Sequence, residues 1–255
     1  MGVVAINTIL NIENLTKDYI DSTGHIVHLL EDIDLNISEG EFTTLLAPTG
    51  AGKSSLLKII AGLETSSSGK INDNAQKKIF IPSEPSSFPW LSVKENILLN
   101  ISDSNDTELQ EIINLVGLEG YKNHYPNNKS LGFRFRISLA RAMINEANLI
   151  VIDEPFTKMR DEVRKGIYLL LRKIQSKKEI SVVLGTSNIS EAILLSDKIF
   201  LMDKDPGRIM DSFEIQFADP IRRNISNSND FTDYRERIKT YLTKINPSKI
   251  LNVSL

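Results

Sequence analysis

Cysteine is absent from the 255 residues. The chain therefore has no disulfide, no thiolate metal ligand and no cysteine nucleophile, a composition that suits a reducing compartment. Neither sign of charge dominates: 30 Lys+Arg against 33 Asp+Glu leave a net charge of −3. Such a balance gives no electrostatic footprint for duplex nucleic acid, and no nucleic-acid partner is expected. No apolar run approaches the roughly 18 to 20 residues that a membrane span requires. Met1-Gly2-Val3-Val4-Ala5-Ile6 lacks a basic n-region and is too short in its apolar part to read as a secretory signal. Ile6 stands where a myristoylation signal needs Ser or Thr. The expectation is a chain that meets a membrane only through a partner. Internal repeats and low-complexity segments are also missing. What remains, at 41% hydrophobic residues, is ample for the core of one large or two small domains.

The most informative stretch is Ala47-Pro48-Thr49-Gly50-Ala51-Gly52-Lys53-Ser54. It follows the apolar run Phe42 to Leu46, which reads as a buried strand. It opens onto Ser55-Leu56-Leu57-Lys58-Ile59-Ile60-Ala61, whose apolar spacing is helical. Apart from its first position it fits the phosphate-binding pattern G-x-x-x-x-G-K-[ST]. In that pattern backbone N–H groups cradle a phosphate, the lysine reaches the β and γ oxygens, and a hydroxyl meets Mg²⁺. The helix N-terminus adds about half a positive charge at the same point. Ala47 occupies the usual first glycine. A Cβ at a position that tolerates positive φ is expected to cost about 1 kcal/mol and to distort the loop slightly.

From Ile9 to Ile37 the pattern is short and alternating, which predicts antiparallel strands leading into the loop strand. Glu64 to Gly69 reads as a loop by composition, and Lys78-Ile79-Phe80-Ile81 as a strand. Ser92-Val93-Lys94-Glu95 has the spacing of a capping box and begins a helical stretch. Thr107 through Val116 is an amphipathic helix, within a mostly helical insertion over about 84–145. Leu149 to Ile152, Ile180 to Leu184 and Ile199 to Met202 read as short buried strands. Apolar strands alternating with helices predict an α/β fold with a parallel sheet covered on both faces. From about Ser212 the chain turns polar, and Arg222, Arg223, Arg235, Arg237 and Lys239 predict a mildly basic, solvated tail.

Asp153 and Glu154 close a strand at the end of the predicted parallel sheet, where ligands of α/β folds bind. Beside a phosphate loop, this places Asp153 on Mg²⁺ and Glu154 near an attacking water. Without that loop they would read as two solvated carboxylates. Tyr19 precedes the polar turn Asp21-Ser22-Thr23-Gly24. From the residues alone it is either an ordinary strand aromatic or a face offered to a base.

These segments together resemble the ATP-binding cassette family, the nucleotide-binding subunits of ABC transporters. The resemblance covers nearly the whole chain. It runs through Gly40-Glu41-Phe42 into the phosphate loop, Ile60-Ala61-Gly62-Leu63, Pro89-Trp90-Leu91-Ser92-Val93-Lys94-Glu95-Asn96-Ile97, Leu139-Ala140-Arg141-Ala142, Asp153-Glu154-Pro155-Phe156, Ser190-Glu191-Ala192 and Ser196-Asp197-Lys198-Ile199. The Pro-Trp-Leu-Ser-Val segment and Pro206-Gly207-Arg208-Ile209 look most like the nitrate, sulfonate and taurine importer branch. The resemblance implies one P-loop NTPase domain over 1–255, with an antiparallel β subdomain, a helical subdomain and an extension over about 212–255. It implies ATP and Mg²⁺ as cofactors. Nucleotide contacts would come from Tyr19, Ala47, Pro48, Thr49, Gly50, Ala51, Gly52, Lys53, Ser54, Ser55 and Asp153, metal contacts from Ser54 and Asp153, and catalysis from Lys53 and Glu154. Across a head-to-tail dimer, Ser130 and Gly132 would reach a partner cassette's nucleotide. Membrane-spanning permease subunits would grip Phe88 to Ile97 and hold the chain peripherally on the cytoplasmic face of the membrane.

Four departures accompany the resemblance. The family's Mg²⁺-touching Gln falls at Ser83. Its Leu-Ser-Gly-Gly-Gln signature falls at Lys129-Ser130-Leu131-Gly132-Phe133. The following loop's Asp falls at Arg160, and the switch His at Ser187. Hydrolysis is therefore expected to be slow or partner-dependent, with loss of one transition-state donor worth roughly 10²- to 10³-fold. A degenerate, non-hydrolysing cassette acting as the regulatory half of an asymmetric pair is the alternative.

Overall fold

The computed structural model describes residues 7–101, 105–127, 129–178, 180–219, 222 and 225–245. The N-terminal segment Met1 to Ile6 and Arg223 of the basic tail lie outside the described residues. In chain order, β1 (Thr8–Ile20) and β2 (Ile26–Ser38) form an antiparallel pair. β3 (Phe42–Leu46) leads through the loop 47–52 into α1 (Lys53–Ile60), and β4 (Ser68–Asp73) pairs with β1. β5 (Lys78–Ile81) precedes three helices, α2 (Val93–Ile97), α3 (Asp106–Leu115) and α4 (Leu131–Ile144). β6 (Leu149–Asp153), α5 (Asp161–Lys178), β7 (Ser181–Thr186), α6 (Ile189–Leu195), β8 (Lys198–Met202), β9 (Ile209–Glu214) and α7 (Asn229–Ile245) follow.

Two sheets result. One has three antiparallel strands in the order β2-β1-β4, and the other has six strands in the order β5-β6-β7-β3-β8-β9. Its first five strands are parallel and β9 is antiparallel. Neighbouring residues of one strand serve opposite faces. Ile150 and Ile152 of β6 and Val182 and Leu184 of β7 enter a core with α2 to α5. Leu149, Val151 and Val183 enter a second core with α1 and the three-stranded sheet. Strands buried on both faces need near-continuous apolar runs, which is what the sequence supplies.

Three expectations are corrected. The region from Ile9 to Ile37 holds two long strands rather than several short ones, and register shifts at Ile12/Leu15 and Leu15/Lys17 bend the pair where alternation falters. Ser68 and Gly69, read as loop, open β4. Gly69 has φ +95°, and a Cβ there would lie 2.5 Å from Leu15 Cα. This close approach suits only glycine. The polar tail, finally, is not simply a solvated face. Phe231 and Ile238 of α7 are buried in a third cluster with Ile189, Ile193 and Leu201, the apolar stripe of an amphipathic helix.

Candidate functional site

The site forms where β3, β6 and β7 end side by side. β3 enters the loop at Ala47, whose N–H donates to Thr186 O at 3.2 Å. Gly50 and Gly52 take left-handed conformations, φ 86° and 83°, accessible to glycine without strain. Ala47 is not among the positive-φ residues. The strain expected at Ala47 does not arise, because the left-handed turns fall at the two glycines. α1 begins at Lys53 with Gly52 as N-cap and no side-chain cap hydrogen bond. Its first N–H groups are left to bind an anion, with the helix dipole in support. Thr49, Gly50 and Ser54 are exposed at this mouth, whereas Pro48 and Ala51 are buried beneath it.

Lys53 is 5% exposed. Its ammonium donates to Ala47 O at 3.0 Å and Pro48 O at 3.3 Å and lies 2.8 Å from Glu154 Oε1. All three donors of the group are thus engaged. Glu154 adopts φ 37° and donates its N–H to Gly185 O at 3.0 Å. A non-glycine residue held in that region stores about 1 to 2 kcal/mol of strain. The turn brings the Glu154 carboxylate to Lys53.

Asp153 ends β6 at 8% exposure, and its Oδ1 is buried without a hydrogen-bond partner. Burial raises its carboxyl above the ordinary value and the Glu154 charge adds to this, while the Ser54 hydrogen bond and the Lys53 charge oppose it. Gly185 completes the wall: a Cβ there would lie 2.5 Å from Leu57 Cδ1 of α1 and 3.6 Å from Asp153 Oδ1. Lys53, Ser54, Asp153 and Glu154, predicted from separate motifs, are brought together.

Tyr19 reaches the same region from the three-stranded sheet. Its hydroxyl lies 3.2 Å from Ser55 Oγ of α1 and donates to the Glu64 carboxylate. The Lys17 ammonium sits 4.8 Å from its ring centroid. Ser130 and Gly132 make their contacts elsewhere. Ser130 caps α4 by accepting from Phe133 N at 3.3 Å, and Gly132 is buried where a Cβ would lie 2.3 Å from Val163 Cγ1 of α5.

One group had no role assigned from the sequence. Glu191, 6% exposed, accepts from Thr186 Oγ1 at 2.6 Å and from the Tyr168 hydroxyl at 2.9 Å, with Arg164 3.8 Å away. It ties the end of β7, beside Ser187, to α5. Burial raises its carboxyl above the ordinary value, only partly offset by the Thr186 and Tyr168 hydrogen bonds. The signal available was the segment Ser190-Glu191-Ala192 within the family resemblance, which carried no role for the carboxylate, and periodicity does not distinguish it from a solvated residue.

Phe88 to Ser92 form a turn, exposed at Pro89 and Trp90 and half-buried elsewhere, that is organised by buried Asn96. Its Oδ1 accepts from Phe88 N at 2.8 Å, and its Nδ2 donates to the carbonyls of Phe88, Leu91 and Ser92 at 3.0, 2.9 and 3.0 Å. The predicted capping box is present, with Glu95 N donating to Ser92 Oγ at 3.2 Å and Ser92 N to Glu95 Oε2 at 2.7 Å. Trp90 stands 70% exposed on this turn. Among the described residues no helix is long and apolar enough to cross a membrane.

Residues 30–157 match the family model described as ABC transporter. The chain belongs to that family. The aliphatic sulfonates import ATP-binding protein SsuB of Bacillus cereus is 33% identical over 239 residues, covering 90% of this chain and 94% of the relative. Its namesake in Bacillus subtilis is 35% identical over 226 residues, covering 85% and 88%. Among solved structures, a dimeric ATP-binding cassette in a post-hydrolysis state with ADP and Pi is 26% identical. It has a TM-score of 0.71 and covers 82% of this chain and 99% of its own. The fold class expected from the sequence, an α/β P-loop cassette, agrees with this family membership.

Proposed function

We propose that this chain is the ATP-binding subunit of an ABC importer, which binds Mg·ATP in the loop 47–55 and couples its binding and hydrolysis to solute transport by membrane subunits. The observation that carries the reading is the convergence of Lys53, Ser54, Asp153 and Glu154 on one helix N-terminus. A nucleotide phosphate takes the α1 N–H groups and the Lys53 ammonium, its oxygens replacing the carbonyls that Lys53 now meets. Tyr19 offers its ring to the base from beside Ser55.

The donors fit Mg²⁺: the Ser54 hydroxyl and the Asp153 carboxylate, whose buried Oδ1 is without a partner, suit a hard cation that takes oxygen ligands. Ser54 and Asp153 would hold it, and it would neutralise charge on the phosphates. Among the described residues no group of three or more His, Cys, Asp or Glu could cage a metal, in keeping with a cation that shares its coordination with phosphate and water. Glu154 orients and deprotonates the attacking water, and Lys53 stabilises charge on the transferred phosphoryl group.

The whole chain, 1–255, works as one cassette, with a helical subdomain over about 84–145 and a C-terminal extension over about 212–255. Its partners are permease subunits, engaged through the turn carrying Trp90, and a second cassette, whose nucleotide meets Ser130 at the start of α4 and Gly132. The chain acts on the cytoplasmic face of the membrane. Import is the direction named for the two Bacillus relatives. Ser187 and Ser83 in place of His and Gln slow the hydrolytic step more than binding, because the phosphate cradle does not depend on them. Co-extraction from native membranes tests the assembly: recovery of permease subunits with this chain is expected, and a chain recovered without any membrane partner would overturn it.

A further inference from the structure

We infer that Glu64, held by Lys17, is the positioning residue of the base platform: it locks the Tyr19 ring in place before a nucleotide arrives, so that the base stacks without first ordering its own support. The inference rests on the reading of Tyr19 as the residue that takes the base.

Tyr19 needs a support because of where it stands. β1 pairs with β4 only as far as Thr16 opposite Ser68. Tyr19, opposite Val27, therefore lies on a two-stranded ribbon that runs on past the three-stranded sheet, and such a ribbon is marginal by itself. Lys17, Asp18 and Tyr19 are instead each tied to the loop that follows α1. The Tyr19 hydroxyl donates to Glu64 Oε1. The Lys17 ammonium lies 3.2 Å from the same oxygen and donates to Thr65 O at 2.7 Å. Asp18 N donates to Ser67 Oγ at 2.9 Å.

The side chains of Lys17 and Glu64 are only 11% and 18% exposed, so salt and water screen the pair little. Burial works to raise the Glu64 carboxyl, but the hydrogen bonds from Tyr19 and Lys17 outweigh it and hold the group below its ordinary value. The acceptor is thus charged at neutral pH, and a hydrogen bond to an ionised acceptor is about twice as strong as a neutral one. The same ammonium covers one face of the ring, 4.8 Å from its centroid. With Tyr19 41% exposed, the opposite face is the one left for a base. Ser55 Oγ, 3.2 Å from the hydroxyl, links this platform to α1, the helix whose N–H groups take the phosphates.

The test is calorimetric titration of the full chain with Mg·ATP and, separately, with Mg·tripolyphosphate, which has the phosphates without the base. Glu64→Ala and Tyr19→Phe should each weaken Mg·ATP binding by about three- to tenfold, because the ordering of one side chain is returned to the binding step. The double variant should bind no more weakly than the weaker single one. Glu64→Ala should leave Mg·tripolyphosphate affinity at the wild-type level. Equal weakening of both ligands by Glu64→Ala, unchanged Mg·ATP affinity in either single variant, or additive losses in the double variant would overturn the proposal. Tyr19→Ala separates it from the reading beneath it. Loss of Mg·ATP affinity in Tyr19→Ala alone keeps the base on Tyr19 and removes the lock, whereas Mg·ATP affinity unmoved by Tyr19→Ala, or absent from the wild type, removes the reading and the proposal together.

Discussion

The Lys53 ammonium lies 2.8 Å from Glu154 Oε1, so the cation expected to meet phosphate and the carboxylate expected to meet water neutralise each other across the ends of α1 and β6. Glu154→Gln removes the base and leaves the cradle intact. Phosphate release should fall by about 10²-fold or more, while Mg·ATP affinity holds or rises because Lys53 loses a competing anion. An unchanged hydrolysis rate would remove Glu154 from the chemistry.

Gly185 offers a packing test of the same junction. A Cβ there would stand 2.5 Å from Leu57 Cδ1, so Gly185→Ala must displace the fully buried Leu57 side chain. Overpacking of this kind costs about 1 to 3 kcal/mol. Chemical denaturation should show a lowered midpoint together with weakened nucleotide binding.

Asn96 holds the turn beneath Trp90 through four hydrogen bonds. Asn96→Ala removes the side-chain partner of Phe88 N–H and Leu91 O, while Phe88 O and Ser92 O keep the N–H groups of Leu91 and of residue 96, and should destabilise the chain by about 2 to 4 kcal/mol, seen in thermal unfolding. Trp90→Ala leaves the fold intact and should instead reduce recovery of permease subunits.

Glu191 gives a pH signature. Its carboxyl is raised above 4.5, chiefly by burial. The folded state therefore binds the proton more tightly than the unfolded one. That contribution to stability is full below about 4.5 and declines as pH rises through the folded value. Glu191→Gln has no such contribution. The difference in urea midpoint, wild type minus variant, should shrink as pH is raised from 4.5 toward neutrality and then level off. A difference independent of pH would contradict the assignment.

Much of this was readable in advance because parallel strands buried on both faces leave uninterrupted apolar runs. Phe42–Leu46, Lys78–Ile81 and Leu149–Asp153 were all visible, as were the loop glycines and the Ser92–Glu95 cap. β4 was not, because Gly69 at its start does a steric task that composition reads as loop. α7 was hidden by its charges: among the described side chains of the helix only Phe231 and Ile238 are buried, too few to stand out against Arg235, Arg237 and Lys239. Glu191 and the Lys17–Tyr19–Glu64 group depend on contacts between distant segments, which a local pattern does not encode.

Mg·ATP binding and phosphate release, measured side by side on the wild-type chain and Lys53→Ala, test the central claim most directly. The account predicts saturable Mg·ATP binding and slow phosphate release in the wild type, both lost or strongly reduced in the variant. Equal binding and equal release by the two proteins would contradict it.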